Sequence, residues 1–315
     1  MTNPHCSVCS RIARKYGKDK LGNQRFHCDA CRKTFIPHKK TIRIERSKAL
    51  LCLKLLVEGN SIRSTERITE IHRDTILNLL NVVGERCERV MEEKIVNIPL
   101  EFVEADEIWG YVKKKEAHKT KEEKENNKLG DAYTFVGIEA KSKLVVCYLL
   151  GRRDLESAIK FMEKMQRASD GRFQLSTDGL RAYIEAVEQV FGTDIDYAQL
   201  VKSYRSDEAG KAERRYSPGD FIGAKKVPIM GNPDEARIST SYIERQNLTM
   251  RMSMRRLTRL TNGFSKKWEN FEKALGLHFA YYDFCKVHQS LRVTPAMEAG
   301  ITDHIWSLDE LIGIL

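Results

Sequence analysis

The stretch Phe173-Gln174-Leu175-Ser176-Thr177-Asp178-Gly179 carries the strongest structural signal in the chain. Its apolar beginning predicts a short strand, and the pattern from Leu180 to Phe191 predicts a following helix. In that arrangement Asp178 lies at the edge of a sheet. Two further acids lie near the ends of predicted elements. Asp106 is late in a strand-like run, and Glu244 is near the start of a helical stretch. We therefore interpret the rest of the chain as a scaffold for these three carboxylates.

From position 100 onward the pattern alternates between strands and helices. We predict strands over Glu101–Val112, Asp131–Glu139, Lys143–Leu150, Phe173–Thr177 and Asp194–Leu200, with a helix over Leu155–Arg167 before the fourth strand and another from Leu180 before the fifth. This order is that of the α/β ribonuclease-H-like fold. Its first and fourth strands are neighbours, which would bring Asp106 next to Asp178.

The remaining part of this region is predicted with less regular structure. Residues 205–239 are polar and predict a long loop with a short strand at Ala224–Met230, and residues 113–128 predict an exposed loop. Helices are predicted from Ser241 and over Ser265–His288.

Carboxylates that converge from separate elements favour Mg²⁺, because this hard cation prefers carboxylate oxygens. Two such ions can activate a nucleophile and stabilise a leaving oxygen during phosphodiester transfer. Either Glu104 or Glu107 is a neighbouring ligand or an ordinary acid, and sequence does not choose between them. Each triad acid also has a structural alternative: Asp178 as a helix cap, and Glu244 as a first-turn acid.

The amino-terminal segment contains two Cys-x-x-Cys pairs, Cys6 with Cys9 and Cys28 with Cys31. This spacing predicts a tetrahedral Zn²⁺ site of the ribbon type over residues 1–42, with strands at Gln24–Cys28 and Thr34–Phe35. The segment has few large apolar residues, so zinc would supply much of its folding free energy.

Residues 43–99 predict a helix, a short helix capped by Ser61, and a longer helix that opens at His72. This layout is that of a helix-turn-helix, whose last helix would enter the major groove of DNA, and a plain helical linker is the alternative. The candidate base-reading residues are Arg73, Thr75 and Asn78. Cys52 and Cys87 lie at the spacing of helix core residues.

The net charge of +10 favours a polyanionic partner. Residues 1–50 hold 13 basic and three acidic residues, and Arg245–Lys267 holds seven basic residues and no acid. Candidate DNA contacts are Arg25, Lys39, Lys40, Arg245, Arg251, Arg255 and Arg256. No apolar run reaches the length of a membrane span and no apolar signal region opens the chain, so we expect no membrane partner and a cytoplasmic location.

Together these motifs resemble the bacterial DDE-type insertion-sequence transposases, especially the insertion sequence 1-like group. The resemblance rests on the two cysteine pairs, the helix-turn-helix, and three motifs in order: Ala105-Asp106-Glu107-Ile108-Trp109, Ser176-Thr177-Asp178-Gly179 and Tyr242-Ile243-Glu244-Arg245-Gln246-Asn247. It implies that Asp106, Asp178 and Glu244 form the catalytic triad with Mg²⁺ or Mn²⁺, and that Arg251 is the basic residue seven positions after the glutamate. The family binds terminal inverted repeats of double-stranded DNA, cuts there, and joins the ends to target DNA.

The sequence thus predicts a zinc ribbon over 1–42, a helix-turn-helix over 43–99 and a catalytic domain over 100–315. Because two DNA ends must meet, at least a dimer is expected in the DNA complex. Two alternatives stay open: a non-catalytic DNA-binding regulator, and a ribonuclease-H-like nuclease that cuts without joining.

Overall fold

A computed structural model describes residues 3–6, 9–18, 24–36, 44–205 and 220–313. The chain divides into two compact units, Met1–Arg43 and Ile44–Leu315. In the described residues, the helices predicted to bind DNA and the α/β region belong to the same second unit.

The first unit is a small antiparallel sheet in the order β1-β2-β3, formed by Arg14–Lys18, Gln24–His27 and Thr34–Phe35. The predicted strands correspond to β2 and β3, and β1 is an addition. The buried residues Cys6, Ala13 and Cys28 form the core, against which Phe26 and Phe35 pack. A core this small buries little apolar surface, so it needs a further source of stability.

The second unit begins with three helices: α1 (Arg46–Val57), α2 (Ile62–Thr69) and α3 (Arg73–Lys94). As predicted, Ser61 caps α2, since its hydroxyl accepts the Ser64 N–H at 2.9 Å. The left-handed backbone of Glu70 ends α2 and turns the chain into α3.

The α/β region follows the predicted order and extends it. Its elements are β4 (Ile98–Pro99), β5 (Phe102–Val112), β6 (Gly130–Glu139), β7 (Val145–Gly151), α4 (Leu155–Ala168), β8 (Ser169–Asp170), β9 (Gln174–Thr177), α5 (Arg181–Phe191), β10 (Asp196–Arg205) and β11 (Asp220–Met230). The strands of the central sheet lie in the order β11-β10-β9-β5-β6-β7, while β4 pairs with β8. Strand β5 is therefore antiparallel to β6 and parallel to β9. This places the first and fourth core strands side by side, as the sequence predicts.

Two predictions for the later chain are corrected. Residues 220–223, expected in a loop, belong to β11, which is longer than the predicted strand because it pairs along β10 from Tyr197 to Arg205. The helix expected over Ser265–His288 is shorter: α7 covers Trp268–Ala280. A wider π turn follows at Tyr281–Cys285, and its buried Asp283 accepts the N–H of Val145 at 3.0 Å.

The remaining elements are α6 (Ser241–Ser253), α8 (Pro295–Glu298), α9 (Leu308–Ile312) and short 3-10 turns at Glu116–His118 and Glu235–Arg237. Helix α6 packs on β5, so it lies directly over the strand that carries Asp106.

Helix α3 packs tightly against α7 through glycine. A Cβ on Gly276 would lie 2.8 Å from the carbonyl oxygen of Gly84, closer than such contacts allow. The two helices can approach this closely because Gly276 has no side chain. The predicted DNA-binding helices are thereby held against the α/β region.

We expect Gly276→Ala to lower the free energy of unfolding by about 1–3 kcal/mol, because the new methyl group forces α3 and α7 apart. The measurement is urea unfolding followed by circular dichroism. Gly223→Ala is the matched control, since a Cβ there meets nothing within 4 Å. If Gly276→Ala were as stable as the wild type, the helix contact would not be tight.

Candidate functional site

Register between two parallel strands brings Asp106 and Asp178 together. Ala105 of β5 pairs with Thr177 of β9, and Asp106 and Asp178 directly follow these two residues in the chain. One carboxylate oxygen each from Asp106, Glu107 and Asp178 lies within 4.8 Å of the others. We call these three residues the carboxylate cluster.

The environment of Asp106 disfavours its negative charge. Burial, followed by the nearby charges of Asp178 and Glu107, raises the pKa of Asp106 to about 7. Asn247 of α6 donates a hydrogen bond to Asp106 at 2.8 Å. A divalent cation would offset the repulsion among these carboxylates, and the oxygen donors suit Mg²⁺ or Mn²⁺. The residues of the cluster therefore fit such an ion.

Glu107, rather than Glu104, is the acid that joins the two aspartates. Its side chain is only 3% exposed. The Arg153 guanidinium donates to one oxygen of Glu107 at 2.6 Å, and the Tyr183 hydroxyl donates to the other at 3.1 Å. Arg153 also lies 3.8 Å from Asp178, so one guanidinium lies beside both acids.

Glu104 instead anchors the helix that faces the cluster. Its buried carboxylate accepts the N–H groups of Tyr242 and Ile243, at 2.7 and 3.0 Å. These are first-turn amides of α6, where a negative charge stabilises a helix. Glu104 thus fixes the start of α6 above β5.

Asp178 makes a local contact beside its place in the cluster. One of its oxygens accepts the Leu180 N–H at 3.0 Å. Leu180, however, is the N-cap residue of α5, so Asp178 is not the helix cap that the alternative interpretation requires.

Glu244 lies outside the carboxylate cluster. It is in the first turn of α6 and half-exposed, and its carboxylate pairs with Lys202 of β10 and accepts the Thr240 hydroxyl at 2.7 Å. The charge of Lys202 also lowers the pKa of Asp106, so this ammonium group acts on both acids. A metal-binding role for Glu244 stays a prediction.

Three groups around the carboxylates were not predicted as site residues: Asn247, Lys202 and Arg153. A weak signal existed only for Asn247, which follows Glu244 by three positions and so shares its helix face. Lys202 and Arg153 come from β10 and from the turn before α4, and only the tertiary fold places them here.

The predicted DNA-binding residues of the second unit occupy different environments. Arg73, Asn78, Arg245 and Arg255 are exposed, whereas Thr75, Arg251 and Arg256 are partly buried. Burial, with the nearby charge of Arg259, lowers the pKa of Arg251 to about 10, and Arg251 also feels the charge of Asp106. In the first unit, Arg25 lies over the ring of Tyr16 at 5.6 Å. Lys39 and Lys40 lie outside the described residues.

One histidine and two cysteines of the second unit contact neighbouring side chains. His288 contacts the ring of Tyr282 edge-on and the Ser290 hydroxyl. Cys52 and Cys87 are fully buried packing residues, as predicted.

The sulfur atoms of Cys6, Cys9, Cys28 and Cys31 lie within 4.8 Å of one another. The pairs Cys6–Cys31 and Cys9–Cys28 are 3.5 and 3.4 Å apart, and no disulfide joins these four cysteines. Tetrahedral zinc with Zn–S bonds of about 2.3 Å requires sulfurs about 3.8 Å apart. The cluster therefore fits Zn²⁺ with adjustments of a few tenths of an ångström.

No protein-family model and no curated protein matches the chain. Several solved structures resemble it loosely, and two of them are Mos1 transposase complexes. One is a Mos1 transposase paired-end complex with left transposon end, at 13% identity and a TM-score of 0.19 over 50% of this chain and 59% of that chain. The other is a pre-cleavage Mos1 transpososome, at 14% identity and a TM-score of 0.17 over 52% of this chain and 60% of that chain.

The chain thus spans less than two thirds of either Mos1 chain. At these TM-scores the similarity does not define the fold, which the strand order of the sheet describes directly. Among the described helices, none has both the length and the apolar character needed to cross a bilayer.

Proposed function

We propose that this chain is a DDE-type DNA transposase with a ribonuclease-H-like core. The observation that carries the proposal is the meeting of Asp106 and Asp178 at neighbouring parallel strands, with α6, the helix that carries Glu244, packed on β5. The three motifs that resemble insertion-sequence transposases contain these same acids. Membership of the insertion sequence 1-like group rests on that resemblance.

Asp106, Asp178 and Glu244, with Glu107 beside them, would hold Mg²⁺ or Mn²⁺. Such ions lower the pKa of a bound nucleophile and offset the charge that develops during phosphodiester cleavage. The protein groups prepare this site. Asn247 fixes one oxygen of Asp106, and Arg153 holds Glu107 in place.

Lys202 has a distinct part in this arrangement. Its ammonium group pairs with Glu244 and lowers the pKa of Asp106, so it supplies positive charge between the two acids. Entry of a divalent cation would compete with that pairing and would leave Glu244 able to act as a ligand. The scissile phosphate would then meet the basic residues of and after α6, among them Arg245 and Arg251.

Double-stranded DNA is the proposed substrate, with terminal inverted repeats bound by the helix-turn-helix and by a zinc-loaded ribbon. Arg73 and Asn78, which are exposed near the start of α3, would contact base edges. At least two copies of the chain would act together, because transposition joins two ends of one element.

The decisive experiment incubates the full chain with DNA that carries its element's ends and a target plasmid. With Mg²⁺ we expect nicked and joined products, and without a divalent cation we expect bound but uncut DNA. DNA of scrambled end sequence is the matched substrate control. Nicked products that never join would indicate a nuclease, and binding without cleavage would indicate a regulator.

A further inference from the structure

Arg153 contacts two of the three acids of the carboxylate cluster. Its Nε donates a hydrogen bond to Glu107 at 2.6 Å, and its Nη2 lies 3.8 Å from an oxygen of Asp178. The guanidinium also lies over the ring of Tyr133, with 5.9 Å between its Cζ and the ring centroid. An arginine side chain carries five N–H donors, and the hydrogen bond to Glu107 uses one of them. Most of the donor capacity of Arg153 is therefore left for a second anion.

The unused part of this guanidinium faces solvent. The Arg153 side chain is 46% exposed, whereas the Glu107 side chain behind it is almost completely covered. Among the residues that the structure describes, neither Nη group has a hydrogen-bond partner. Asp178 beside it is partly exposed as well. Arg153 therefore presents N–H groups at the open side of the cluster, where an anionic substrate would arrive.

The backbone around Arg153 is fixed on both sides. The Arg152 N–H donates to the Ser157 hydroxyl at 2.9 Å, and the Asp154 carboxylate accepts the Ser157 N–H at 2.9 Å at the start of α4. The Arg152 side chain donates to the carbonyl oxygen of Asn127 at 2.8 Å, shortly before β6. Because its neighbours are held in this way, the Arg153 guanidinium is preorganised at the cluster, as electrostatic catalysis requires.

Arg153 reaches the cluster from a direction that differs from that of the other cations. It comes from the turn after β7, whereas Lys202 comes from β10, on the opposite side of β9 and β5 in the sheet. The two faces of β5 differ as well, since Glu107 contacts α5 and Asp106 contacts α6. A phosphate beside the cluster would therefore lie between Arg153 and the basic residues of α6.

We propose that Arg153 is a catalytic residue that binds the reacting phosphate. Its Nη groups donate to a non-bridging oxygen of that phosphate, while its Nε keeps Glu107 in place. A planar guanidinium suits this double task, because it donates in two directions at fixed angles and keeps its charge. This inference rests on the proposed function, to which it adds a residue that contacts the substrate.

The cleavage step explains why this contact matters. The oxygen of water forms a bond to phosphorus while the bond from phosphorus to the 3′ oxygen breaks, and the proton that water loses is balanced by the proton that the 3′ oxygen gains. Negative charge is spread over the phosphoryl oxygens in the transition state, so a fixed guanidinium stabilises it. Arg153 itself exchanges no proton.

The first test needs no cleavage. The zinc-loaded full chain receives Mn²⁺, and the ³¹P relaxation of added dimethyl phosphate measures phosphate bound next to the ion. Arg153→Gln should weaken the affinity for dimethyl phosphate by about 10-fold, the effect of losing a charged hydrogen bond. Its Mn²⁺ affinity, measured by calorimetry, should be unchanged or tighter, because one positive charge leaves the cluster.

Two reference variants accompany this test. Arg167→Gln is the matched control, since it makes the same charge change at an exposed residue of α4 outside the cluster. Asp106→Asn measures the relaxation caused by Mn²⁺ that is not bound at the cluster.

The second test follows single-turnover cleavage of end DNA. At saturating Mg²⁺ and DNA, Arg153→Gln should cut about 10²-fold to 10³-fold more slowly than the wild type. Arg153→Lys should be intermediate, since lysine keeps the charge but lacks the planar fork. Sulfur in place of the contacted non-bridging oxygen should add little to the loss caused by Arg153→Gln, because both changes remove the same interaction.

The inference is wrong if Arg153→Gln binds dimethyl phosphate as tightly as Arg167→Gln does, or if the wild type binds none beside Mn²⁺. It is also wrong if Arg153→Gln loses affinity for Mn²⁺, since Arg153 would then only order the metal ligands. Failure of the proposed function gives a different result, because the wild type would leave end DNA uncut. The dimethyl phosphate measurement decides the role of Arg153 in that case too.

Discussion

Replacing Asp106 by asparagine is expected to reduce Mg²⁺-dependent DNA cleavage by about 10³-fold or more. Loss of a metal ligand removes several kcal/mol of transition-state stabilisation, and each 1.4 kcal/mol is a factor of ten in rate. Asp106 is largely buried, and burial and its two acidic neighbours raise its pKa to about 7. Removing its charge removes the repulsion that a divalent cation would relieve. The measurement is the single-turnover rate of strand nicking at saturating Mg²⁺.

Asp170→Asn is the matched control, because Asp170 is an exposed acid on β8, outside the carboxylate cluster. Binding of end DNA, measured by mobility shift without divalent cations, should be undiminished in both variants. If Asp106→Asn cleaved DNA at the wild-type rate, the cluster would not be the catalytic centre.

The same assay distinguishes the roles of Glu107 and Glu244. Glu107→Gln should perturb the cluster by loosening the Arg153 contact, since a neutral amide no longer forms that ion pair. Glu244→Gln should free Lys202 instead. If both acids are ligands, each variant needs a higher Mg²⁺ concentration for half-maximal cleavage, and a ligand role is excluded for an acid whose variant does not.

The sheet was predictable because its strands have clear apolar patterns and end in recognisable turns. The proximity of Asp106 and Asp178 follows from that strand order, because β5, which carries Asp106, is the parallel neighbour of β9, which Asp178 directly follows. The first four residues of strand β11, 220–223, were missed because this strand lies at the sheet edge, where its pairing with β10 defines its start.

The choice between Glu104 and Glu107 could not be made from sequence. Both lie on β5, and strand alternation places Glu104, not Glu107, on the face that Asp106 shares. The structure distinguishes the two acids by their contacts. Glu104 accepts hydrogen bonds from two α6 amides, whereas the Glu107 carboxylate lies close to that of Asp178. These contacts join residues far apart in the chain, which a local pattern does not encode.

The close packing of α3 against α7 also could not be predicted from sequence, because it joins residues far apart in the chain. Gly84 and Gly276 each interrupt a helical pattern. From sequence, an isolated glycine in a helix usually predicts a less stable helix, not a close contact between two helices. Their proximity shows that these glycines allow two helices to approach.

Replacing Cys28 by serine, or removing zinc with a chelator, is expected to unfold the first unit and leave the second unit folded. The core of the first unit consists of Cys6, Ala13 and Cys28 with Phe26 and Phe35 around them, which is too little apolar burial to offset chain entropy. Zinc binding contributes about 10–16 kcal/mol in comparable small sites, so its loss exceeds any stability that such a core supplies. The measurement is hydrogen–deuterium exchange followed peptide by peptide, alongside the zinc content of the purified chain.

Cys285→Ser is the matched control, because Cys285 is a partly buried free thiol of the second unit, outside the four-cysteine cluster. This control should retain zinc and slow exchange in β1 and β2, whereas Cys28→Ser should lose both. The helices and strands of the second unit, from α1 to α9, should exchange equally in the two variants, since Met1–Arg43 and Ile44–Leu315 are separate compact units. A Cys28→Ser chain that lost its zinc and still exchanged slowly in β1 and β2 would show that the apolar core alone holds the first unit. Weaker binding of end DNA by the unfolded variant would then assign the ribbon, with Arg25, a share of the contact with DNA.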